Sequence, residues 1–383
     1  MAQRLKSDWL LFGTIVAMVG FGLVMIYSAS SVTAELNPRI SSSFYYAWHQ
    51  LIWAAVSFIA LMFFKRRDYR MLQSPTWAFG SLGMVLVLQI LVFFLDSKTH
   101  RWFRLQGVGT LQPSEFAKPA LIIFFAYFVT QKREAINTRR TIVAASLALA
   151  VLAATVGLGD LGTAIVLIVP AAVVFYVAGL ERKFVAGALA VGALVAVGFI
   201  AFKPYRMARI VGFFDPDYKL ISMLDHDGKI KKYVSRSVTT RDAGYQVRQS
   251  KIAVGSGGLL GLGLMQGKQK ILYLPEAHTD FIYAVVGEEL GLWGCSAILA
   301  GFLVILGRGL QLYWVAHDDF GKYLALGVTS SIVIQALINM SVVLGMGPTK
   351  GIPLPMISAG GSSLLSTLIC LGMLLSVSEH SGY

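Results

Sequence analysis

Long apolar runs, each closed by charged residues or by glycine and proline, recur from one end of this chain to the other. Runs of roughly 17–25 apolar residues are what a helix needs to cross a bilayer. They predict ten spans, over 8–28, 44–64, 76–95, 113–130, 141–157, 162–179, 184–202, 279–306, 321–345 and 355–377. The fold class expected is an all-α polytopic membrane protein, one membrane domain over 1–383, with a large loop over 203–278 between the seventh and eighth helices. Short loops of one set carry Arg4, Lys6, Lys65, Arg66, Arg67, Arg70, Lys132, Arg133, Arg139, Arg140, Arg182, Lys183, Arg308 and Lys322. The other set carries only Arg39, Lys98, Arg101, Arg104 and Lys350. The positive-inside rule therefore places both termini in the cytoplasm and the large loop outside.

Composition agrees with this pattern: 56% of residues are hydrophobic and 14% charged, which excludes an ordinary soluble domain. A net charge of +13 could suggest nucleic acid. The basic residues instead gather at helix ends and in the long loop, which fits membrane topology and an anionic substrate, and no nucleic-acid partner is expected. Both cysteines, Cys295 and Cys370, fall in predicted spans, so no disulfide framework is suggested. The first run, Trp9 to Tyr27, is long enough to stay as a span and lacks a convincing cleavage site, so no cleavable signal peptide is expected.

Chemistry concentrates at LYLPEAHTDFIYAVVGEELG, Leu272–Gly291, where the large loop ends and an apolar helix begins. Glu276, His278, Thr279 and Asp280 crowd that boundary, with Glu288 and Glu289 about two turns deeper. Carboxylates at membrane depth are costly and face a bundle interior, a partner or a cavity. A helix starting near Thr279 puts Asp280 in its first turn and Glu288 about 12 Å deeper. Asp280, Ala284, Gly287 and Gly291 then share a face whose small residues suit close packing or a groove beside the carboxylate. A lone Asp here would be a helix N-terminal charge favoured by the dipole; the neighbouring Glu276 and His278 and the deeper acids favour a site.

Three other stretches add polar groups at the same membrane face. In HRWFRLQGVGTLQPSEFAKPA, Pro113 suits a first helical turn, and Glu115 and Lys118 are i, i+3 neighbours near the outer surface. They form either a local ion pair or, with Arg101 and Arg104, a pocket for an anionic headgroup. The large loop opens on KPYRMARIVGFFDP, where Arg206 and Arg209 precede Phe213 and Phe214, an amphipathic segment for lipid phosphates. Between the last two spans, GMGPTKGIPLPMISAGGSS is too rich in Pro and Gly for regular helix. Such backbone is tolerated at membrane depth only under cover of protein or along a cavity, and Ser358, Ser362 and Ser363 either bond its freed groups or line a site.

Weaker signals stay open. Asp160 is a helix cap or an extra pocket carboxylate. The ISMLDHDGKIKKYV stretch reads as a small hairpin around Asp227-Gly228, and a turn accounts for Asp225–Gly228 better than a calcium loop. GSGGLLGLGLMQGKQK reads as a flexible loop with Lys268 and Lys270 as possible headgroup contacts. With no HExxH, Walker lysine loop or cysteine cluster, and six scattered histidines, no protein-built metal cage can be argued.

Four stretches together resemble the SEDS family (shape, elongation, division and sporulation; RodA, FtsW and SpoVE). They are Arg101-Trp102 with Gln112–Lys118, Pro204–Pro216, Gly244–Gly291, and Pro348–Ser363; the PTKG and PEAH strings lie nearer the FtsW branch. The chain departs from the family pattern at Gly157–Gly159, at Ala359, and in a long charged segment near 218–243. The resemblance implies a peptidoglycan glycosyltransferase in the bacterial cytoplasmic membrane. It would polymerise lipid II, the undecaprenyl-pyrophosphate-linked disaccharide-pentapeptide, outside the membrane, beside a class B penicillin-binding protein and with a divalent cation (Mg or Mn). Asp280 matches the family's essential aspartate. An α-linked pyrophosphate donor and a β-linked product need one inverting displacement and one base, assigned here to Asp280. Arg101, Lys118, Arg206 and Lys350 are candidates to meet the leaving-group charge, with Glu115 and His278 orienting and Ser358 and Ser362 lining the site. Glu276, Thr279 and Glu288 are expected to support it. Rival classes are a lipid-linked precursor flippase, which should carry mid-membrane ionisable residues on several spans, and a scaffold recruiting the class B protein.

Overall fold

The computed structural model describes residues 8–38, 40, 42–96, 101–105, 109–159, 161–201, 204–214, 243–348 and 350–380. A helix stands at each of the ten predicted runs: α1 (Trp9–Glu35), α2 (Tyr45–Arg66), α3 (Pro75–Leu95), α4 (Ala117–Gln131), α5 (Arg139–Gly159), α6 (Leu161–Val177), α7 (Arg182–Ala201), then, beyond the large loop, α10 (Ile282–Val315), α11 (Asp319–Val343) and α12 (Gly361–His380). Among the described residues, seven of them (α1, α2, α3, α5, α10, α11 and α12) are long and apolar enough to cross a membrane. Among the described residues the large loop contributes two further helices, α8 (Pro204–Phe214), amphipathic as expected, and α9 (Ala243–Gly257), which no apolar run announced.

Local chemistry starts the helices. Asp8 caps α1 through Leu11 N–H at 3.0 Å, Ser74 caps α3 ahead of Pro75, and Asp318 caps α11 through Gly321 N–H at 2.9 Å. Asp8 also takes Arg308 Nε at 2.7 Å, so Arg308 lies inside α10 and not in the loop that the expected end at 306 gave it. A charge this near a helix end reads as a boundary; its partner on α1 keeps it in register.

Burial separates the helices more sharply than hydropathy does. In α11 and α12, 78% and 83% of the spanning window is buried, against 28–39% for α1, α2 and α3. The centre is α11, packed on α4, α6 and α10, with α12 lying against α2. Three expectations change here. The stretch after Arg101 is a two-stranded antiparallel ribbon, β1 (Phe103–Leu105) on β2 (Gly109–Leu111), with Arg104 opposite Thr110. Asp280 sits in a turn before α10, because helix begins at Ile282 and Phe281 caps it. The small face beyond Asp280 is interrupted at Gly291, whose φ of 62° and ψ of −154° kink the helix and bring its backbone against Gly261. The small residues thus serve close packing, not an open groove. The expected hairpin over 221–234, the Asp225–Gly228 turn, the 218–243 segment up to 242, and Asp160 lie outside the described residues.

Candidate functional site

Two irregular segments, 271–281 and 350–360, meet around Asp280. The Asp280 carboxylate lies directly over Gly351, where a Cβ would meet Oδ2 and oblige the carboxylate to move. Glycine in the PTKG string leaves the carboxylate room to stand where it does. Asn339 on α11 fixes both segments at once: its Nδ2 donates to Asp280 O at 2.8 Å and to Ile352 O at 2.7 Å. One turn back, Gln335 Nε2 donates to Pro353 O at 2.8 Å, while its Oε1 accepts from Lys118 Nζ at 2.8 Å. Lys118 in turn pairs with Glu115 Oε2 at 2.6 Å, both side chains only 5% exposed. Glu115 and Lys118 are thus buried inside the bundle instead of at the outer surface. Gln335 and Asn339, one turn apart, hold the adjacent carbonyls of Pro353 and Ile352, and Asn339 alone carries on to the backbone carbonyl of Asp280.

Around these amides the loop backbone is satisfied by side chains. Ser358 Oγ accepts from Leu354 N–H at 2.8 Å and donates to Thr279 O at 2.6 Å, so its hydroxyl closes the loop. Ala359 N–H donates to His278 O at 2.9 Å, and Gly360 N–H to Gln50 Oε1 at 3.0 Å. Thr279 Oγ1 donates to Glu276 Oε2 at 2.9 Å, with Glu276 held at a left-handed φ of 55°. The His278 ring packs on Tyr46 at 4.6 Å. Burial pushes its imidazole below the ordinary histidine value, and Glu276 opposes that shift, so it is neutral at pH 7.

The remaining predicted residues are placed by other elements. The stem of Lys350, one residue before Gly351, crosses Gly162 in the first turn of α6. Arg206 on α8 donates from Nη2 to Gly157 O at 3.1 Å, at the end of α5. Arg101 enters the ribbon with its N–H on Asp96 Oδ2 at 3.2 Å. Ser362 is buried in the first turn of α12. Glu288 is buried and accepts from Lys268 N–H at 2.7 Å and Gln269 N–H at 3.1 Å. Its neighbour Glu289 takes Met265 N–H at 3.1 Å, Ser28 Oγ at 2.6 Å and Lys270 Nζ at 2.5 Å. The glycine-rich stretch expected to be a flexible loop is therefore pinned to α10. Lys270, 2% exposed, is an internal ion-pair partner and not a headgroup contact.

Sequence reading passed over Asn339, Gln335, Gln50 and Tyr46. A signal existed for two of them: SIVIQALINM carries amides at i and i+4 in an otherwise apolar span, and buried polar groups must find partners.

Comparison with known proteins follows this geometry. Residues 8–383 match the family model of FtsW, RodA and SpoVE, described as cell cycle protein. The "Probable peptidoglycan glycosyltransferase FtsW" of Trichlorobacter lovleyi is 38% identical over 97% of this chain and 93% of its own length. The "Stage V sporulation protein E" of Bacillus subtilis is 35% identical, over 100% and 99%. Among solved structures, the rod shape determining protein RodA of Thermus thermophilus superposes with a TM-score of 0.66 at 23% identity, covering 99% of both chains. A chain from work on structural coordination of polymerization and crosslinking by a peptidoglycan synthase complex gives 0.73 at 24%, over 97% of this chain and 98% of that one. At these identities the solved structures establish the fold.

Proposed function

The chain belongs to the FtsW/RodA/SpoVE family of cell cycle proteins, and from that premise we propose that it is a peptidoglycan glycosyltransferase of the bacterial cytoplasmic membrane. It is a multi-pass membrane protein. The finer topology belongs to the proposal: ten spans, both termini cytoplasmic, and Asp280 at the outer face. So does the substrate, lipid II, whose lipid tail stays in the bilayer while its pyrophosphate and sugars reach the 271–281 and 350–360 segments. A class B penicillin-binding protein would cross-link the product strands.

The observation that carries the reading is the setting of Asp280. Its backbone is clamped by buried Asn339, and its carboxylate is seated over Gly351, where a larger residue would displace it. A base held this firmly meets the acceptor hydroxyl without reorganising. Asp280 takes the hydroxyl proton, the oxygen attacks the anomeric carbon from the face opposite the pyrophosphate, and the undecaprenyl pyrophosphate leaves with inversion. Lys350 is the cation nearest in sequence to that seat, and Lys350, Arg101 and Arg206 are the candidates to meet the leaving-group charge. Glu115 and Lys118 act through Gln335 as positioning residues.

Among the described residues no three His, Cys, Asp or Glu side chains converge. A divalent cation, Mg or Mn, would take its ligands chiefly from substrate pyrophosphate oxygens, with Asp280 or Glu276 as the protein carboxylate. Bound there, it would offset the charge of the leaving group.

The test is polymerisation of labelled lipid II by the purified full chain with a class B partner, beside Asp280→Asn. Wild type is expected to make glycan strands, and the variant to lose at least about 100-fold while keeping its unfolding midpoint. Retained activity in Asp280→Asn would remove the base; no product from wild type would leave transport or scaffolding as the function.

A further inference from the structure

Three consecutive cations close α2, and the structure treats them in two ways. Lys65 turns into the protein, with Nζ 3.0 Å from Glu379 Oε1 on α12 and 5.1 Å from the centre of the Phe12 ring. Arg66 and Arg67 turn outward and are exposed. The Arg67 guanidinium lies over Phe63 at 5.5 Å, and its backbone carbonyl accepts from Ser376 Oγ at 2.5 Å, which fixes the chain where the helix ends. Four other cations at this end of the bundle are matched by carboxylates, Arg70 by Asp68 and Asp318, Arg133 and Lys322 by Asp319, and Arg308 by Asp8, whereas Arg139 and Arg140, like Arg66 and Arg67, are exposed with no carboxylate beside them among the described residues. Among the described residues neither Arg66 nor Arg67 has such a match.

Beneath these two arginines runs a shallow, open groove along α2, lined by Phe58, Ile59, Met62, Phe63, Arg66 and Arg67. The positions step i, i+1, i+4, i+5, i+8, i+9, a single stripe about 13 Å long on one face of α2. Its wall is apolar and open, with Ile59 71% and Phe63 48% exposed. It contains no carboxylate. Because α2 crosses the membrane, whatever fills this stripe is in the bilayer.

We propose that this groove binds an anionic phospholipid, with an acyl chain along Phe58–Phe63 and the phosphate between Arg66 and Arg67. Charge complementarity carries the choice of occupant. Two unmatched guanidiniums at the end of an apolar stripe offer forked donors to phosphate oxygens, and net negative headgroups are drawn to such clusters where neutral ones are not. The apolar wall sets the distance from the bilayer interior at which the phosphate is met.

Native mass spectrometry of the full chain tests this, with phosphatidylglycerol and phosphatidylcholine of identical acyl chains as probes. Wild type is expected to retain phosphatidylglycerol selectively, and Arg66→Gln with Arg67→Gln to weaken that retention about tenfold or more. Arg139 and Arg140, an exposed pair outside the groove, supply the comparator. Arg139→Gln with Arg140→Gln should leave retention unchanged. Ile59→Ser, which keeps both arginines, should weaken it several-fold. Equal loss in the two arginine pairs would reduce the site to general basic attraction and overturn the proposal. So would full retention without Arg66 and Arg67, or displacement of the lipid by millimolar inorganic phosphate.

Discussion

The segments 258–270 and 350–358 are both irregular, both pressed against the same bundle, and held by opposite chemistry. The first turns N–H groups inward, from Met265, Lys268 and Gln269, and meets the carboxyl oxygens of Glu288 and Glu289. The second contains Pro353 and Pro355, which have no N–H, and turns the carbonyls of Ile352 and Pro353 inward. It meets the amide donors of Asn339 and Gln335. The backbone group facing the core thus selects the side chain that pins it. Of the two carboxylate pins, Glu289 has Lys270 beside it. The amides bear no charge of their own, and the charge behind Gln335, on Lys118, is met by Glu115 away from the Asp280 backbone.

The comparison breaks most visibly at Lys270. Lys270→Met leaves Glu289 charged and buried, and is expected to cost about 3–5 kcal/mol in an unfolding titration of the detergent-purified protein. Adding Glu289→Gln should recover much of that cost, a coupling that a double-mutant cycle reads directly. On the amide side, Asn339→Leu strands two buried carbonyls and should cost a smaller amount, about 1–3 kcal/mol. Its signature is kinetic: glycan polymerisation falls with kcat while lipid II KM stays near wild type, because the clamp on Asp280 is lost rather than a substrate contact. Equal effects of Asn339→Leu and Lys270→Met on both stability and kcat would erase the distinction between the two segments.

The smallest effect is a pH dependence at His278. Its folded imidazole titrates below the unfolded value, so the unfolded chain binds the extra proton first. Well above about pH 6.5 both states are neutral and nothing is lost. As pH falls below that value stability declines, by at most about 1.4 kcal/mol per pH unit, until the folded imidazole is itself protonated. His278→Gln should flatten this decline; an unchanged slope would assign it to another group.

Apolar run length was enough to locate a helix at each of the ten runs, since an apolar stretch bounded by charge has few other ways to hide its backbone. It missed what depends on pairing across the chain. Arg308 read as a loop residue until Asp8 appeared beside it, and Lys270 read as a headgroup contact until Glu289 did. Asp280 was legible from its neighbours in PEAHTDF, yet its clamp was not, because Asn339 lies 59 residues away.

The sequence by itself therefore determined the class of protein, the places where helices form and the family, all of which rest on local pattern and on contiguous strings. Tertiary structure alone decided which polar side chains became pins, which paired inside the bundle and which were left facing lipid. Those outcomes depend on the desolvation of one group by another far along the chain, and no window of sequence contains both.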